Sequence, residues 1–157
     1  MVMQSSILFY QKHLYNHNRI TYINMQIEKT IKEYLREIEN GNYENIIKLF
    51  SPKAIINSPL YGKIKAKDFY KELFKDTLKS KITLMNIFKS KNPLIAAGHF
   101  RYDWVLKNGT STSFECVDIF QFNKNGKIIK LTIIYDTAKI RQSFFKKLKH
   151  TNSFYSK

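Results

Sequence analysis

The sequence predicts an α+β fold in a single domain, with helices in the first half and a curved antiparallel sheet in the second. Three observations predict it: apolar residues recur at helical spacing up to residue 78, four β-rich runs follow Lys81, and Asn-Gly pairs join these runs. The 157 residues are 43% apolar, which suits an ordinary globular domain with its own core. No segment approaches the roughly 18 apolar residues needed to span a membrane.

Three amphipathic segments predict the helices. The first has its apolar positions at Ile27, Ile31, Tyr34, Leu35 and Ile38, and Gly41 follows where a helix would stop. The second covers residues 43–50 and ends at Ser51-Pro52, and the third covers residues 66–78. Between the last two, a short β-like run at 54–57 precedes a turn at Ser58-Pro59.

The four β-rich runs cover residues 82–88, 94–106, 110–122 and 127–135. Asn108-Gly109 joins the second run to the third, and Asn125-Gly126 joins the third to the fourth. Asn-Gly between two such runs is a strong signal for a β-hairpin. The sequence therefore predicts an antiparallel meander, with the helices covering one of its faces.

The hairpins also predict which residues share a face, if each Asn-Gly pair is a two-residue turn. Asp118 then lies opposite both His99 and Ile133, because opposed residues of neighbouring strands share a face. By the same count Arg101, Asp103 and the following residues share that face: Phe114, Cys116, Phe120, Phe122, Ile129, Leu131, Ile133 and Tyr135. An apolar wall with a few converging polar groups is typical of a ligand pocket.

The opposite face of the predicted sheet is also strongly apolar. It would hold Phe100, Tyr102, Trp104, Val117 and Ile119. The helices can cover only one face, so we expect a homodimer through this outer face. Packing of a terminal segment against it is the alternative.

The two ends of the chain differ from its middle. Residues 1–25 read as an N-terminal extension, either upstream of a true start at Met25 or forming a packed accessory helix. Residues 138–157 form a basic tail without an acidic residue, and Ile140, Phe144 and Leu148 predict a short amphipathic helix there. We expect this helix to pack on its own domain; contact with an acidic partner or a membrane surface is the less favoured interpretation.

The chain has 27 Lys and Arg against 12 Asp and Glu, a net charge of +15. The excess is spread along the chain, so we expect a solvated surface and no specific nucleic-acid partner. Cys116 is the single cysteine. It can form neither an internal disulfide nor a cysteine-rich zinc site, and a reducing compartment, the cytoplasm, is the expectation.

The order of elements and several short motifs resemble the nuclear-transport-factor-2-like superfamily, and within it the SnoaL-like and ketosteroid-isomerase-like branch. The resemblance covers residues 26–137, and the segments that carry it are 33–35, 40–43, 49–50, 57–62 and 117–128. It implies a cone of three helices against a curved sheet, with an apolar pocket inside and commonly a dimer. The fold hosts isomerases, cyclases, hydrolases and binding proteins, so it does not select a reaction.

The resemblance also implies roles for individual residues. Tyr34 and Asp118 stand where the isomerases place their oxyanion-binding pair, although the two could simply satisfy each other's hydrogen bonds. Ser58 stands where the isomerases have their proton-shuttling aspartate, and a serine cannot replace it unaided. This departure argues against authentic ketosteroid isomerisation. His99 or Asp103 would then have to move the proton on another substrate.

Arg101-Tyr102-Asp103 resembles the Arg-x-Asp strand of epoxide-hydrolase-like members, where Arg and two Asp hold a water molecule. Ile133 stands where the third member is expected, and an ordinary salt bridge is the alternative for Arg101 and Asp103. The sequence thus predicts a protein that binds a small apolar organic ligand without cofactor or metal. It is either an isomerase, cyclase or lyase that acts by acid–base chemistry on a carbonyl-containing, polyketide- or steroid-like compound, with Arg101 orienting an anionic group, or a non-catalytic binding or interaction module.

Overall fold

The computed structural model describes residues 2–138 and 140–141. Its helices pack on the inner face of a curved, unclosed sheet of six strands. The elements, in chain order, are α1 (Val2–Asn40), α2 (Tyr43–Lys48), β1 (Phe50–Ser58), β2 (Gly62–Lys65), α3 (Ala66–Asp76), β3 (Thr77–Lys89), β4 (Ile95–Leu106), β5 (Ser111–Phe122) and β6 (Ile128–Tyr135). The strand order is β2-β1-β6-β5-β4-β3, and β1 and β6 are the parallel neighbours. The predicted α+β fold is confirmed.

Helix α1 buries the predicted stripe of apolar side chains against the sheet. It ends where predicted, since Gly41 has φ +64° and donates its N–H to the Ile38 carbonyl at 3.1 Å. Asn42 N–H donates to the Glu37 carbonyl at 3.0 Å, which completes a Schellman cap. The helix begins at Val2 and continues through Met25 without a break.

The strands differ from the prediction in three places. Strand β1 begins at Phe50, which was predicted to end the second helix, because α2 already ends at Lys48. The pattern missed β2 because it has only four residues, of which Ile64 alone turns inward opposite Ile56. Strand β3 begins at Thr77 and not after Lys81, because α3 ends at Asp76 and the chain passes directly into pairing with β4.

The first hairpin has a different loop from the predicted one. Leu106 N–H donates to the Thr110 carbonyl and Gly109 N–H donates to the Leu106 carbonyl, both at 2.9 Å. The loop therefore has three residues and ends with Gly109 in the left-handed region, at φ +84°. The extra loop residue shifts the register by one, so Asp118 lies opposite Gly98 and not opposite His99.

The second hairpin has the same kind of three-residue loop, ending at Gly126 with φ +74°. Here a β-bulge follows: Phe122 pairs with Ile128, but Gln121 pairs with Lys130. Ile129 is the extra residue of the bulge and is 41% exposed, so its predicted inward position is wrong. The bulge cancels the extra loop residue, and the predicted pairing of Asp118 with Ile133 is confirmed.

Of the predicted tail helix, only the beginning lies among the described residues. Ile140 is buried, and the Arg141 side chain donates to the Thr137 hydroxyl at 2.7 Å. Phe144 and Leu148 lie outside the described residues.

Candidate functional site

A buried hydrogen bond inside the cone joins Tyr34 of α1 to Asp118 of β5. The Tyr34 hydroxyl donates to Asp118 Oδ2 at 2.6 Å, and each residue is only 1% exposed. Cys116, two residues earlier on the same face of β5, donates its thiol to Asp118 Oδ1 at 3.3 Å. Both carboxyl oxygens therefore contact side-chain donors in the interior of the protein.

Strand alternation and a glycine bring this pair together. Cys116, Asp118 and Phe120 alternate inward along β5, and Tyr34 lies on the buried stripe of α1. Gly98 stands directly opposite Asp118, and a Cβ there would lie 3.2 Å from Ile31 Cγ2. The glycine thus allows α1 to lie close against the sheet beside the carboxyl, a role that the sequence analysis missed.

Burial raises the pKa of Asp118 from 3.8 to about 7, although the hydrogen bonds from Tyr34 and Cys116 act in the opposite direction. Burial, followed by the neighbouring Asp118 charge, raises the pKa of Tyr34 well above its ordinary value. The Cys116 pKa is raised for the same two reasons. Asp118 is therefore the group of this cluster that exchanges a proton near neutral pH.

Tyr70 of α3 adds a polar group that the sequence analysis took for an ordinary position on an apolar face. It is completely buried, its ring centroid lies 6.3 Å from that of Tyr34, and among the described residues its hydroxyl makes no hydrogen bond of standard geometry. Burial raises its pKa strongly, and the Tyr34 hydroxyl lowers it to a lesser degree. Helical spacing placed Tyr70 on the buried face of the helix, as it would a phenylalanine, and gave no indication that its hydroxyl has a role.

The Tyr34–Asp118 pair forms part of the wall of a cavity of about 40 Å³. This volume holds roughly three water molecules. Most of the wall is aromatic. The lining residues are Tyr34, Ile38, Ser58, Tyr61, Phe69, Leu73, Phe100, Tyr102, Trp104, Phe114, Cys116, Asp118, Ile133 and Tyr135.

Three aromatic side chains of this wall are held by hydrogen bonds to the junction of α3 and β3. Trp104 Nε1 donates to Thr77 Oγ1 at 2.8 Å, and the Tyr61 hydroxyl donates to Asp76 Oδ2 at 2.9 Å. The Tyr102 and Ser80 hydroxyls are 2.9 Å apart. These contacts fix the orientation of three rings that line the cavity.

The register shift removes three predicted residues from the site. His99, Arg101 and Asp103 lie on the outer face of β4, because the buried positions of that strand are the even-numbered ones. His99 Nε2 lies 3.0 Å from Glu115 Oε2, and Arg101 Nε donates to Asp103 Oδ1 at 2.9 Å. The expectation that they face Asp118 is wrong.

The same shift brings Phe100, Tyr102 and Trp104 into the interior, where all three are buried and line the cavity. Their predicted position on an outer dimer face is therefore wrong. Val117 and Ile119 do lie on the outer face, since they alternate with the inward-facing residues of β5.

Among the predicted ligand-contacting residues, five line the cavity: Ser58, Phe114, Cys116, Ile133 and Tyr135. Phe120 and Leu131 face inward but are wholly buried in the core behind the cavity wall. The Ser58 hydroxyl accepts hydrogen bonds from the backbone N–H groups of Leu60 and Tyr61, at 3.3 and 3.2 Å. It therefore holds the β1–β2 turn.

Within the described part of the chain, no three His, Cys, Asp or Glu side chains are grouped as a metal site would require. No helix in that part is long and apolar enough to cross a membrane.

The chain matches the SnoaL-like domain family over residues 31–131, more than half of its length. No curated protein matches the sequence. Similar solved structures include an NTF2-like protein of unknown function from Burkholderia pseudomallei, with a TM-score of 0.65, 15% identity, and coverage of 74% of this chain and 95% of that one. An NTF2-like protein of unknown function from an Exiguobacterium species has a TM-score of 0.60 and 17% identity, covering 68% of this chain and 98% of that one.

A third similar structure is SalBIII, described as an epoxide hydrolase/cyclase-like enzyme in pyran ring formation in the polyether salinomycin. Its TM-score is 0.64 at 16% identity, with coverage of 73% of this chain and 94% of that one. At these identities the likeness shows the fold alone.

Proposed function

The chain belongs to the SnoaL-like family, and we propose that its cone binds a small, mostly apolar organic molecule through one oxygen atom. The observation that carries this proposal is Asp118, a buried carboxyl with a pKa raised to about 7 in the wall of an aromatic cavity. A carboxyl that keeps its proton near neutral pH can donate a hydrogen bond to a carbonyl or hydroxyl oxygen. Tyr34 orients it by donating to its other oxygen.

The cavity limits the size of the ligand. At about 40 Å³ it is far smaller than the roughly 300–1,000 Å³ of sites for drug-sized molecules. Binding of a polyketide- or steroid-sized compound requires the half-buried Tyr61 and Tyr135 to move outward. A single-ring compound requires a smaller rearrangement.

Acid–base chemistry on a carbonyl compound is the catalytic form of this proposal. Asp118 would protonate or hydrogen-bond the oxygen on which negative charge develops, and a pKa near the working pH suits a group that both donates and accepts a proton. His99 and Asp103 cannot serve as the base, because they lie on the other side of the sheet. Asp118 is the only carboxyl among the described residues that line the cavity, so it would have to take the proton back itself.

Binding without turnover is the second candidate. It is favoured by Ser58, which stands where the isomerases have their proton-shuttling aspartate and whose hydroxyl is engaged by the Leu60 and Tyr61 N–H groups. The epoxide-hydrolase-like alternative loses support, because Arg101 and Asp103 pair with each other on the outer face.

The lone cysteine continues to favour a cytoplasmic location.

The test measures binding of a planar phenol, whose oxygen mimics that of an enolate. Trp104 is the only tryptophan of the chain and lines the cavity, so its fluorescence reports occupancy. We expect Tyr34→Phe and Asp118→Asn each to weaken binding about tenfold or more, on the order of 1.4 kcal/mol. The matched controls, Tyr22→Phe and Asp103→Asn, change an exposed tyrosine and an outer-face aspartate and should bind as the wild type does.

If neither Tyr34→Phe nor Asp118→Asn changes the affinity, the Tyr34–Asp118 pair is purely structural. Failure of the folded wild type to bind any small aromatic oxygen compound would contradict the proposal itself. If phenol binds but no carbonyl compound is converted, the non-catalytic form is supported.

A homodimer stays a prediction. Because Phe100, Tyr102 and Trp104 are interior, its face would have to use other residues of the outer sheet, such as Val117 and Ile134, of which Ile134 is 51% exposed. The mass of the protein in solution, measured by light scattering, tests it.

A further inference from the structure

Four lysines gather on the outer face of the three strands at one edge of the sheet, and we refer to them as the lysine face: Lys53 of β1, Lys63 and Lys65 of β2, and Lys130 of β6. The register establishes the common side of Lys63, Lys65 and Lys130, and Lys53 is placed there by its exposure next to buried Ala54. Ile55 pairs with Lys65 on one neighbouring strand and with Lys130 on the other, while the alternate residues Ala54, Ile56 and Leu131 are buried inside.

The lysine face has no compensating negative charge. The outward positions of β1, β2 and β6 hold no Asp or Glu, and none of the four lysines forms an ion pair within the described part of the chain. The acidic residues of the outer sheet, Asp103 and Glu115, lie on β4 and β5 and contact Arg101 and His99. Folding therefore brings like charges together at this edge, which is unfavourable unless an anion neutralises them.

The spacing of the lysines suits a row of phosphate groups. Lys63 and Lys65 are two residues apart on one strand, about 7 Å, and Lys65 and Lys130 are two strands apart, about 10 Å. Asn57 and Thr132, which pair with each other, lie on the same face and provide hydrogen-bonding groups between the lysines. Phosphate contacts in nucleic-acid complexes come from these residue types.

The composition of the face selects among polyanions. The outward positions of the three strands include no aromatic residue. Single-stranded nucleic acid is usually held by aromatic stacking. Surface-bound membrane proteins use a continuous apolar face in addition to charge, whereas the outward isoleucines here, Ile129 and Ile134, are separated by Lys130 and Thr132. A duplex needs neither, because its charge density of one phosphate per roughly 1.7 Å attracts lysines alone.

We propose that the lysine face binds the phosphate backbone of double-stranded nucleic acid without reading its sequence. No base-reading motif is required, which agrees with the absence of one from the sequence. The site lies on the opposite side of the sheet from the cavity, so it does not depend on the ligand proposed for the cone. Four phosphate contacts would give a slope of about −3.6 for log K against log salt.

The experiment titrates a fluorescently labelled duplex with the full chain at several salt concentrations and follows anisotropy. The variant Lys63→Gln/Lys65→Gln/Lys130→Gln removes three of the four charges. The control Lys67→Gln/Lys71→Gln/Lys107→Gln removes three exposed lysines from α3 and the β4–β5 loop, so both variants carry +12 in place of +15. Circular dichroism verifies that both are folded.

We expect the lysine-face variant to bind at least tenfold more weakly at low salt, with a salt slope shallower by about 3. The control should retain most of the affinity and the original slope. Equal losses in the two variants would show that diffuse charge is responsible and would overturn the proposal. So would the absence of saturable binding to the duplex, or binding of anionic vesicles or single strands in preference to it.

Discussion

Replacement of Asp118 by Asn tests the physical basis of the site without any knowledge of the ligand. Asn has nearly the same volume as Asp and keeps an oxygen that can accept a hydrogen bond from the Tyr34 hydroxyl, but it cannot ionise. In the wild type, the carboxyl has to lose its proton in a fully buried environment as the pH rises. We therefore expect Asp118→Asn to gain stability relative to the wild type at neutral and alkaline pH.

The size of this effect follows from the pKa, which rises from 3.8 in the unfolded chain to about 7 in the folded protein. Between these values the folded state holds the proton more tightly than the unfolded state, so the free energy of unfolding falls as the pH rises. The loss is complete above pH ~7 and amounts to roughly 4 kcal/mol, at about 1.4 kcal/mol per pKa unit. Some 3 kcal/mol of it falls between about pH 5 and 8.

Urea unfolding followed by Trp104 fluorescence, repeated from acidic to alkaline pH, measures the effect. The quantity of interest is the free energy of unfolding of Asp118→Asn minus that of the wild type, because the other titrating groups cancel. We expect this difference to increase from acidic pH to neutral pH and then to level off. Asp68→Asn, which removes an exposed carboxyl on α3, is the control and should give a nearly constant difference. If the difference for Asp118→Asn is also constant with pH, Asp118 does not titrate with a raised pKa in the folded protein.

Two further substitutions test the framework of the cavity. Thr77→Val leaves the indole N–H of Trp104 without its acceptor, so we expect a loss of about 1–3 kcal/mol in urea unfolding and a shift of the Trp104 emission; an unchanged spectrum would contradict the bond. Gly98→Ala places a methyl group 3.2 Å from Ile31, which should push α1 outward and lower the stability by ~1 kcal/mol or more. An unfolding midpoint of Gly98→Ala equal to or above that of the wild type would show that α1 can move away from the sheet at no cost in stability.

Local patterns predicted the helices well because each depends on residues a few positions apart. The buried stripe of α1, its end at Gly41 and the positions of both hairpin loops all agree with the structure. The four-residue strand β2 escaped detection, since a single inward residue gives no periodicity. The pairing of Tyr34 with Asp118 came from family resemblance, and the structure places the two in contact.

The strand register was predicted less well than the helices, because it was inferred from the assumed length of the hairpin loops. Both hairpins have three-residue loops ending in a left-handed glycine, yet only the second has a bulge, at Ile129, that restores the expected pairing. Because side chains alternate along a strand, the uncorrected shift in the first hairpin exchanged the two faces of β4. His99, Arg101 and Asp103 moved outward, and Phe100, Tyr102 and Trp104 moved inward.

The fold class, the helix faces and the turn positions could be predicted from the sequence because they depend on short-range spacing and composition, and the family was indicated by the resemblance of short motifs. Long-range contacts establish which residues enclose the cavity, how small the cavity is, and that Asp118 is buried deeply enough to hold a proton near neutral pH. They also bring Lys130 of β6 beside the lysines of β1 and β2, which lie far from it in the sequence. Each of these properties depends on contacts between distant segments, and a bulge of a single residue is enough to change them.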